Sequence, residues 1–178
     1  MSIALDTIAA SRADSGEALA LRVTDHYERR GRVLWGLARR LGATEEQSAD
    51  IVQEVHLRLW RALTGGTDIV DLDAWTFRVA YRLVMDQHRL GRRAHDLLAR
   101  LTAPRVTVMT PVLDDALSLW PMVDRLPSRE RTTLYLHYRV DLSFEQIGHV
   151  MGITAASGRT YASRGMERLR AMVDEAER

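Results

Sequence analysis

Between Leu142 and Arg164 the chain reads LSFEQIGHVMGITAASGRTYASR, two helical phrases on either side of Gly152. Ser143 with Gln146 three residues on forms a capping box: the hydroxyl takes a first-turn N–H and the amide side chain returns to the cap's own N–H. Phe144, Ile147 and Val150 give the short helix one apolar face. Gly152 suits a turn because it reaches positive φ at little cost, and Thr154 then stands as N-cap of a longer helix. Gly148 is small where the two helices approach closely. The spacing is that of a helix-turn-helix. Its second helix turns Gly158, Ala162, Met166, Leu169 and Val173 inward, and Ser157, Arg159, Thr160, Ser163, Arg164 and Arg168 outward. The first residues of such a helix enter the major groove, where arginine reads guanine edges or holds phosphates. The plainer alternative is a helical hairpin with no role at DNA. Gly158 and Gly165 each cost about 1 kcal/mol relative to alanine inside a helix. They predict a recognition helix that is soft until it meets DNA.

Helices are expected on both sides of this motif. Ser128 after Pro127 reads as an N-cap, and the C-terminal half is expected to hold helices at about 113–125, 128–139, 143–151 and 154–173. Upstream, Pro104 and Pro111 bracket Arg-Val-Thr-Val-Met-Thr, a poor helix context, so residues 97–112 read as an extended linker. Before the linker three helices are expected. The first spans about 17–41 and ends at Gly42. The second opens on the capping box Thr44 and Gln47, with Glu45 and Glu46 suited to its first turn, and stops at Gly65-Gly66. Its inner stripe is Val52, Val55, Leu59 and Leu63, with His56 and Trp60 alongside. Glu54 and Arg58 form a favourable i,i+4 pair on another face. The third helix, about 72–94, is apolar on most sides, but Arg78, Arg82, Asp86, Arg89 and Arg93 share one face. The fold class is therefore all-α: two small helical domains joined by an extended linker, the second carrying the helix-turn-helix. The divisions are an N-terminal extension at 1–19, a first domain at 20–96, the linker at 97–112 and a second domain at 113–178.

Composition narrows the chemistry. The chain has 178 residues and no cysteine, which excludes disulfides, thiolate metal sites and a catalytic or redox thiol. Apolar residues at 46% and charged residues at 28% suit a soluble globular protein, and the apolar runs are too short to span a membrane. Residues 1–20 carry Asp6, Asp14 and Glu17 against Arg12, the wrong charge for a secretory signal, so a cytoplasmic protein is expected. A net charge of +1 hides alternating blocks. Arginine, the only basic type besides histidine, gathers at 22–40, 82–100 and 159–170, with acidic stretches between. The basic blocks are candidate nucleic-acid footprints, the alternative being solvated helix faces. No nucleophile elbow, phosphate-binding glycine loop or His-Glu-x-x-His motif occurs, so no enzyme, catalytic residue or cofactor is expected. The six histidines are scattered and read as polar surface residues, so no metal is expected either.

The two halves together resemble the extracytoplasmic-function (ECF) sigma factors of bacterial RNA polymerase. The first domain resembles sigma region 2 through ADIVQEVHLRLW at 49–60, AWTFRVA at 74–80, DQHR at 86–89, and Arg92-Arg93. The second resembles region 4 through LPSRER at 126–131, LSFEQIG at 142–148 and MGIT at 151–154. The resemblance covers about residues 20–96 and 113–172. It implies a dissociable sigma factor that binds core RNA polymerase and directs initiation at promoter DNA. It places polymerase docking on Asp50, Gln53, Glu54, Arg58 and Trp60. It places minus-10 recognition on Thr67, Asp68, Arg78, Arg82, His88, Arg89, Arg92 and Arg93, with Trp75 read as core. Minus-35 recognition falls to Thr154, Ser157, Arg159, Thr160 and Arg164, with Arg131 as a phosphate contact. An anti-sigma factor is a further implied partner. The chain departs from the family where Arg82 replaces asparagine. It departs again where Ala156 to Tyr161 replace Gly-Thr-Val-Lys-Ser-Arg, which exchanges a branched core residue for Gly158 and an arginine for Tyr161. The rival reading is a stand-alone helix-turn-helix regulator that binds duplex DNA without polymerase. It leaves the 49–60 motif unexplained, and the sequence offers it no heptad dimer helix.

Overall fold

Both capping boxes close as the spacing predicts. In the computed structural model, which describes the backbone of residues 2–99 and 119–176 and the side chains of 16–90 and 119–176, helix α2 spans Glu45–Thr64. Thr44 Oγ1 accepts the Gln47 N–H at 3.2 Å, and Gln47 Oε1 accepts the Thr44 N–H at 2.9 Å. The same exchange between Ser143 and Gln146 starts α6, Phe144–Met151. The other helices among the described residues are α1 (Ser2–Arg40), α3 (Leu72–Ala99), α4 (Trp120–Val123), α5 (Ser128–Tyr138) and α7 (Ala155–Ala176); no strand occurs there. The fold class is the all-α one expected.

Several boundaries differ from the sequence reading. Helix α1 begins at Ser2, because nothing before Gly16 breaks a helix, and its Leu19 and Val23 pack against Leu59, Leu63 and Ile69. Helix α3 continues to Ala99, into the segment expected as linker, and the rest of that segment lies outside the described residues. Helix α4 has a single turn opened by Pro121, and residues 113–118 of the longer expected helix also fall outside the description. Ser128 does not cap α5. Pro127 holds the cap position at φ −51° and ψ 142°, and Ser128 is the first helical residue.

The two halves share one core. Leu34 and Leu37 of α1, Leu41 just after it, Ile51 and Val55 of α2, and Phe77 and Val84 of α3 run continuously into Tyr135, Leu136, Ile147 and Val150 of the C-terminal half. Helix α6 lies along α3, and α5 meets α1. Polar groups pin this junction. The Tyr135 hydroxyl donates to the Val33 carbonyl at 2.8 Å, and the Gln146 amide donates to the Asp71 carboxylate. Arg40, 6% exposed, has its Nε 3.2 Å from Asp124 Oδ1. Its guanidinium lies over the rings of Trp120 and Tyr135, 5.3 and 4.8 Å from their centres.

Glycines set the packing of the helix-turn-helix. Gly152 adopts φ 69° and ψ 40°, the left-handed turn expected of it. Gly165 lets α7 close on α5: a Cβ there would sit 2.9 Å from Leu134 Cδ1. Gly158 faces Phe144 in the same way at 3.4 Å. Both glycines thus have a packing role beside their helix cost. These glycines are contact points, and the buried surface they allow offsets their helix cost. Gly148 is the tightest, since a Cβ would lie 2.8 Å from the rigid Ile153 carbonyl oxygen. Gly148→Ala is expected to destabilise the C-terminal half by roughly 1–3 kcal/mol, the usual cost of overpacking. Thermal unfolding followed by circular dichroism checks this, and an unchanged melting temperature would contradict the packing.

Candidate nucleic-acid interface

The surface of α2 carries the docking candidates. Asp50, Gln53 and Arg58 are exposed, while Glu54 and Trp60 are half-buried. Arg58 Nε donates to Glu54 Oε1 at 2.7 Å, so the expected pair forms. Leu57 was missed, although it is 43% exposed among these polar residues. The available signal was an apolar residue at the polar phase of the helix, seven after Asp50 and three after Glu54.

Beneath α2 lies a polar cluster that contradicts the reading of the histidines as surface residues. His26 and His56 are 1% and 6% exposed. His56 Nδ1 is 2.7 Å from the Val52 carbonyl, and its Nε2 is 3.1 Å from His26 Nδ1. His26 Nε2 lies 3.2 Å from Asp73 Oδ1, and Arg30 pairs with the other Asp73 oxygen. The cluster ties α1 to α2 and to the first turn of α3. Burial pushes both imidazoles below their ordinary range; His56 and Arg29 push His26 further down, and Asp73 opposes them. A histidine depressed in the folded state gives stability that is complete above its unfolded pKa of about 6.5 and lost as pH falls below it. Urea unfolding midpoints are therefore expected to fall between pH 7.5 and 5, and His56→Gln to flatten the profile. An unaltered profile in that variant would clear His56 of the effect.

The loop before α3 and the helix itself form the next surface. Thr67 and Asp68 are exposed, and Val70 is 95% exposed at the loop tip. Asp71 Oδ1 accepts the Ala74 N–H at 2.9 Å and so caps α3. Loop residues, Trp75 and Arg78 line a hollow of about 380 Å³, and Gln146 and His149 of α6 close its far side. Trp75 packs toward Leu59, Leu63 and Ile69, as core. Arg82 and Arg89 are exposed. His88 is committed elsewhere: its Nε2 lies 2.7 Å from the Leu41 carbonyl oxygen, which can only accept, and so it holds the end of α1. Of Arg92 and Arg93 only the backbone is described.

Helix α7 presents the third surface. Thr154 Oγ1 accepts the Ser157 N–H at 3.1 Å, capping the helix as expected. Arg159, Thr160 and Arg164 are exposed, and Ser157 is half-buried. Arg159 Nη2 donates to Glu145 Oε1 at 2.8 Å, and its guanidinium sits 5.6 Å from the Phe144 ring centre. The guanidinium is thus held between α6 and α7. Arg131 departs from expectation. It is 6% exposed and its Nη1 donates to the Asp124 carbonyl at 2.8 Å, facing protein rather than a phosphate. Two residues earlier on α5, Arg129 is exposed. Among the described residues no group of three or more histidine, aspartate or glutamate side chains could hold a metal ion, and no helix is long and apolar enough to cross a membrane.

Comparison with known proteins places both halves in one family. The family model for Sigma-70 region 2 matches residues 26–94, and that for Sigma-70, region 4 matches residues 117–169. The ECF RNA polymerase sigma factor SigW of Bacillus subtilis is 22% identical over 151 residues, which cover 77% of this chain and 81% of SigW. SigL of Mycobacterium tuberculosis is 36% identical over 84 residues, 46% of each chain. Among solved structures, the sigma factor RpoE of Bartonella quintana, in complex with the anti-sigma factor NepR, superposes with a TM-score of 0.64. It is 18% identical, and the alignment covers 84% of this chain and 97% of that one. CnrH in complex with the cytosolic domain of CnrY gives a TM-score of 0.59 at 23% identity, over 92% and 94% of the two chains. At these identities the structures show a shared fold.

Proposed function

The chain belongs to the ECF sigma factors and is a dissociable sigma factor, and on that premise we propose how its surfaces divide the work. Core RNA polymerase docks on the exposed face of α2 through Asp50, Gln53, Glu54 and Arg58, with Leu57 as an apolar anchor among them. The minus-10 element meets the loop at Thr67 and Asp68 and the α3 face at Arg78, Arg82 and Arg89, where a basic surface suits unpaired bases once α6 has moved off α3. The minus-35 element meets α7 through Thr154, Ser157, Arg159, Thr160 and Arg164 in the major groove. The observation that carries this reading is the coexistence of an exposed acidic docking face and a capped helix-turn-helix in one chain. A stand-alone regulator has no use for the first. We divide the chain as a first domain from 20 to the end of α3 at 99, a linker at 100–112 and a second domain at 113–178. The protein supplies promoter choice and no catalytic residue, and it acts in the cytoplasm beside the polymerase.

The two halves are closed on one another, with α6 packed on α3. Minus-10 and minus-35 elements lie about 25 base pairs apart, or roughly 85 Å at 3.4 Å per base pair. A folded chain of this length has a radius of gyration of about 16 Å. With α6 lying on α3, the two DNA-reading surfaces cannot span that distance, so the halves separate when the protein joins polymerase and promoter. An anti-sigma partner holds them together in this reading. On the C-terminal half it meets an apolar groove of about 490 Å³ lined by Trp120, Val123, Leu134, Met166 and Leu169, and it must reach the first half through other contacts.

Run-off transcription with purified core polymerase on fragments of the host genome tests the proposal. Discrete start sites are expected. No binding to core would sink the sigma reading and raise the stand-alone one. Arg164→Ala is expected to weaken promoter binding about tenfold, one lost arginine contact, while core binding stays unchanged. Unchanged promoter affinity in a gel-shift titration would remove Arg164 from the DNA surface.

A further inference from the structure

The outward face of α7 holds a tyrosine at 161, where the chain departs from the arginine of the family pattern, and an arginine from another helix lies against it. Tyr161 is half-buried on the same side of the helix as Ser157, Thr160 and Arg164, four residues after the first and three before the last. Arg129, second residue of α5, is exposed. Its Nη1 donates to the Tyr161 hydroxyl at 2.7 Å, and its guanidinium lies 5.7 Å from the centre of the Tyr161 ring. Both contacts restrict a side chain that would otherwise be free to swing.

We propose that Arg129, steadied across the face of α7 by Tyr161, contacts a DNA phosphate beside the minus-35 element. The inference rests on the reading of α7 as the DNA-facing helix. Two observations and the chemistry of the guanidinium support it. The nearest alternative on α5, Arg131, is buried against Asp124 and faces inward. The partner of Arg129 is a neutral hydroxyl, so the charge is not cancelled, whereas Arg159 is paired with Glu145 and Arg168 lies 3.5 Å from Glu130. A guanidinium has five N–H donors, and the tyrosine uses one, which leaves a fork for a phosphate. Tyr161 is then a positioning residue. Arginine at 161 would reach DNA directly; tyrosine instead places an arginine that arrives from 32 residues earlier.

The test uses the assembled holoenzyme and, as probe, a labelled duplex of the genomic fragment from which the unaltered holoenzyme starts most transcript. Affinity is measured from 50 to 200 mM salt. A phosphate contact contributes about 0.9 to the slope of log affinity against log salt. Arg129→Ala is expected to flatten the slope by about that amount and to weaken binding about fivefold to tenfold at 100 mM salt. Tyr161→Phe is expected to cause a smaller loss, and none when Arg129 is already alanine. Tyr161→Arg is expected to restore the slope in the Arg129→Ala background. An unchanged slope in Arg129→Ala overturns the proposal. So does an equal further loss from Tyr161→Phe in the double variant, which would give the tyrosine an independent role. Core binding is titrated in parallel: if Arg129→Ala loses it, the residue belongs to the polymerase surface and the DNA assignment fails. If the reference variant Arg164→Ala also leaves DNA binding unchanged, the reading of α7 itself fails, and the proposal with it.

Discussion

Glu54→Arg is expected to abolish binding to core polymerase and leave the fold intact. The folded chain loses little from the change. Glu54 and Arg58 are 38% and 48% exposed at the side chain, and a solvent-screened i,i+4 pair of this kind is worth at most about 0.5 kcal/mol. Reversal puts two like charges four residues apart and costs a similar small amount. The effect at an interface is much larger. A charge that is desolvated against a partner and then loses its match costs about 2–5 kcal/mol, or roughly 30-fold to several-thousand-fold in affinity. Reversal adds repulsion to that loss. Fluorescence titration of labelled protein with core polymerase measures the affinity, and circular dichroism confirms the helix content. Normal assembly of the holoenzyme by the variant would end the assignment of α2 as the docking surface.

The second large effect is expected from Arg40→Ala, which should open the closed arrangement. Arg40 comes from the end of α1 and reaches into the C-terminal half, where it meets the Asp124 carboxylate and the rings of Trp120 and Tyr135. Its side chain is 7% exposed and that of Asp124 16%. Burial pushes Asp124 above the ordinary carboxylate range, while Arg40 and Arg131 pull it down. Without Arg40 the carboxylate loses one of the two arginines that stabilise its charge, Arg131 being the other named one. Breaking a buried pair by removing one partner costs about 3–5 kcal/mol. The junction has a few other polar ties, the Tyr135–Val33 and Gln146–Asp71 bonds, so a loss of this size is a large share of what holds it. Small-angle scattering of the free protein should show a larger radius of gyration in the variant, with helix content unchanged. Promoter binding without an anti-sigma partner should rise, because opening no longer opposes it. An unchanged radius would mean that the shared apolar core alone keeps the halves together.

Legibility followed the range of the interactions. Thr44 with Gln47, and Ser143 with Gln146, were readable because each capping box closes over three residues. The exposed stripe of Arg82 and Arg89 was readable because helical period sorts inside from outside. The same reasoning misjudged the burial of His26 and Arg131 and did not find the partner of His88. Period gives the direction of a side chain but not what waits there. His26 meets His56 30 residues away, and His88 meets the Leu41 carbonyl 47 residues away. Leu57 was visible as an apolar residue at a polar phase but went unused.

The sequence by itself determined the all-α class, the helix-turn-helix, the caps at Thr44, Ser143 and Thr154 and the acidic face of α2, since each rests on contacts within a turn or two of helix. Tertiary structure alone decided that the halves share a core, that Gln146 serves both its own capping box and the Asp71 cap of α3, and that Arg129 rather than Arg131 faces outward beside α7. The physical reason is that side-chain hydrogen bonds and close packing are settled by distances of a few ångströms between segments far apart in the chain. No local pattern encodes those distances.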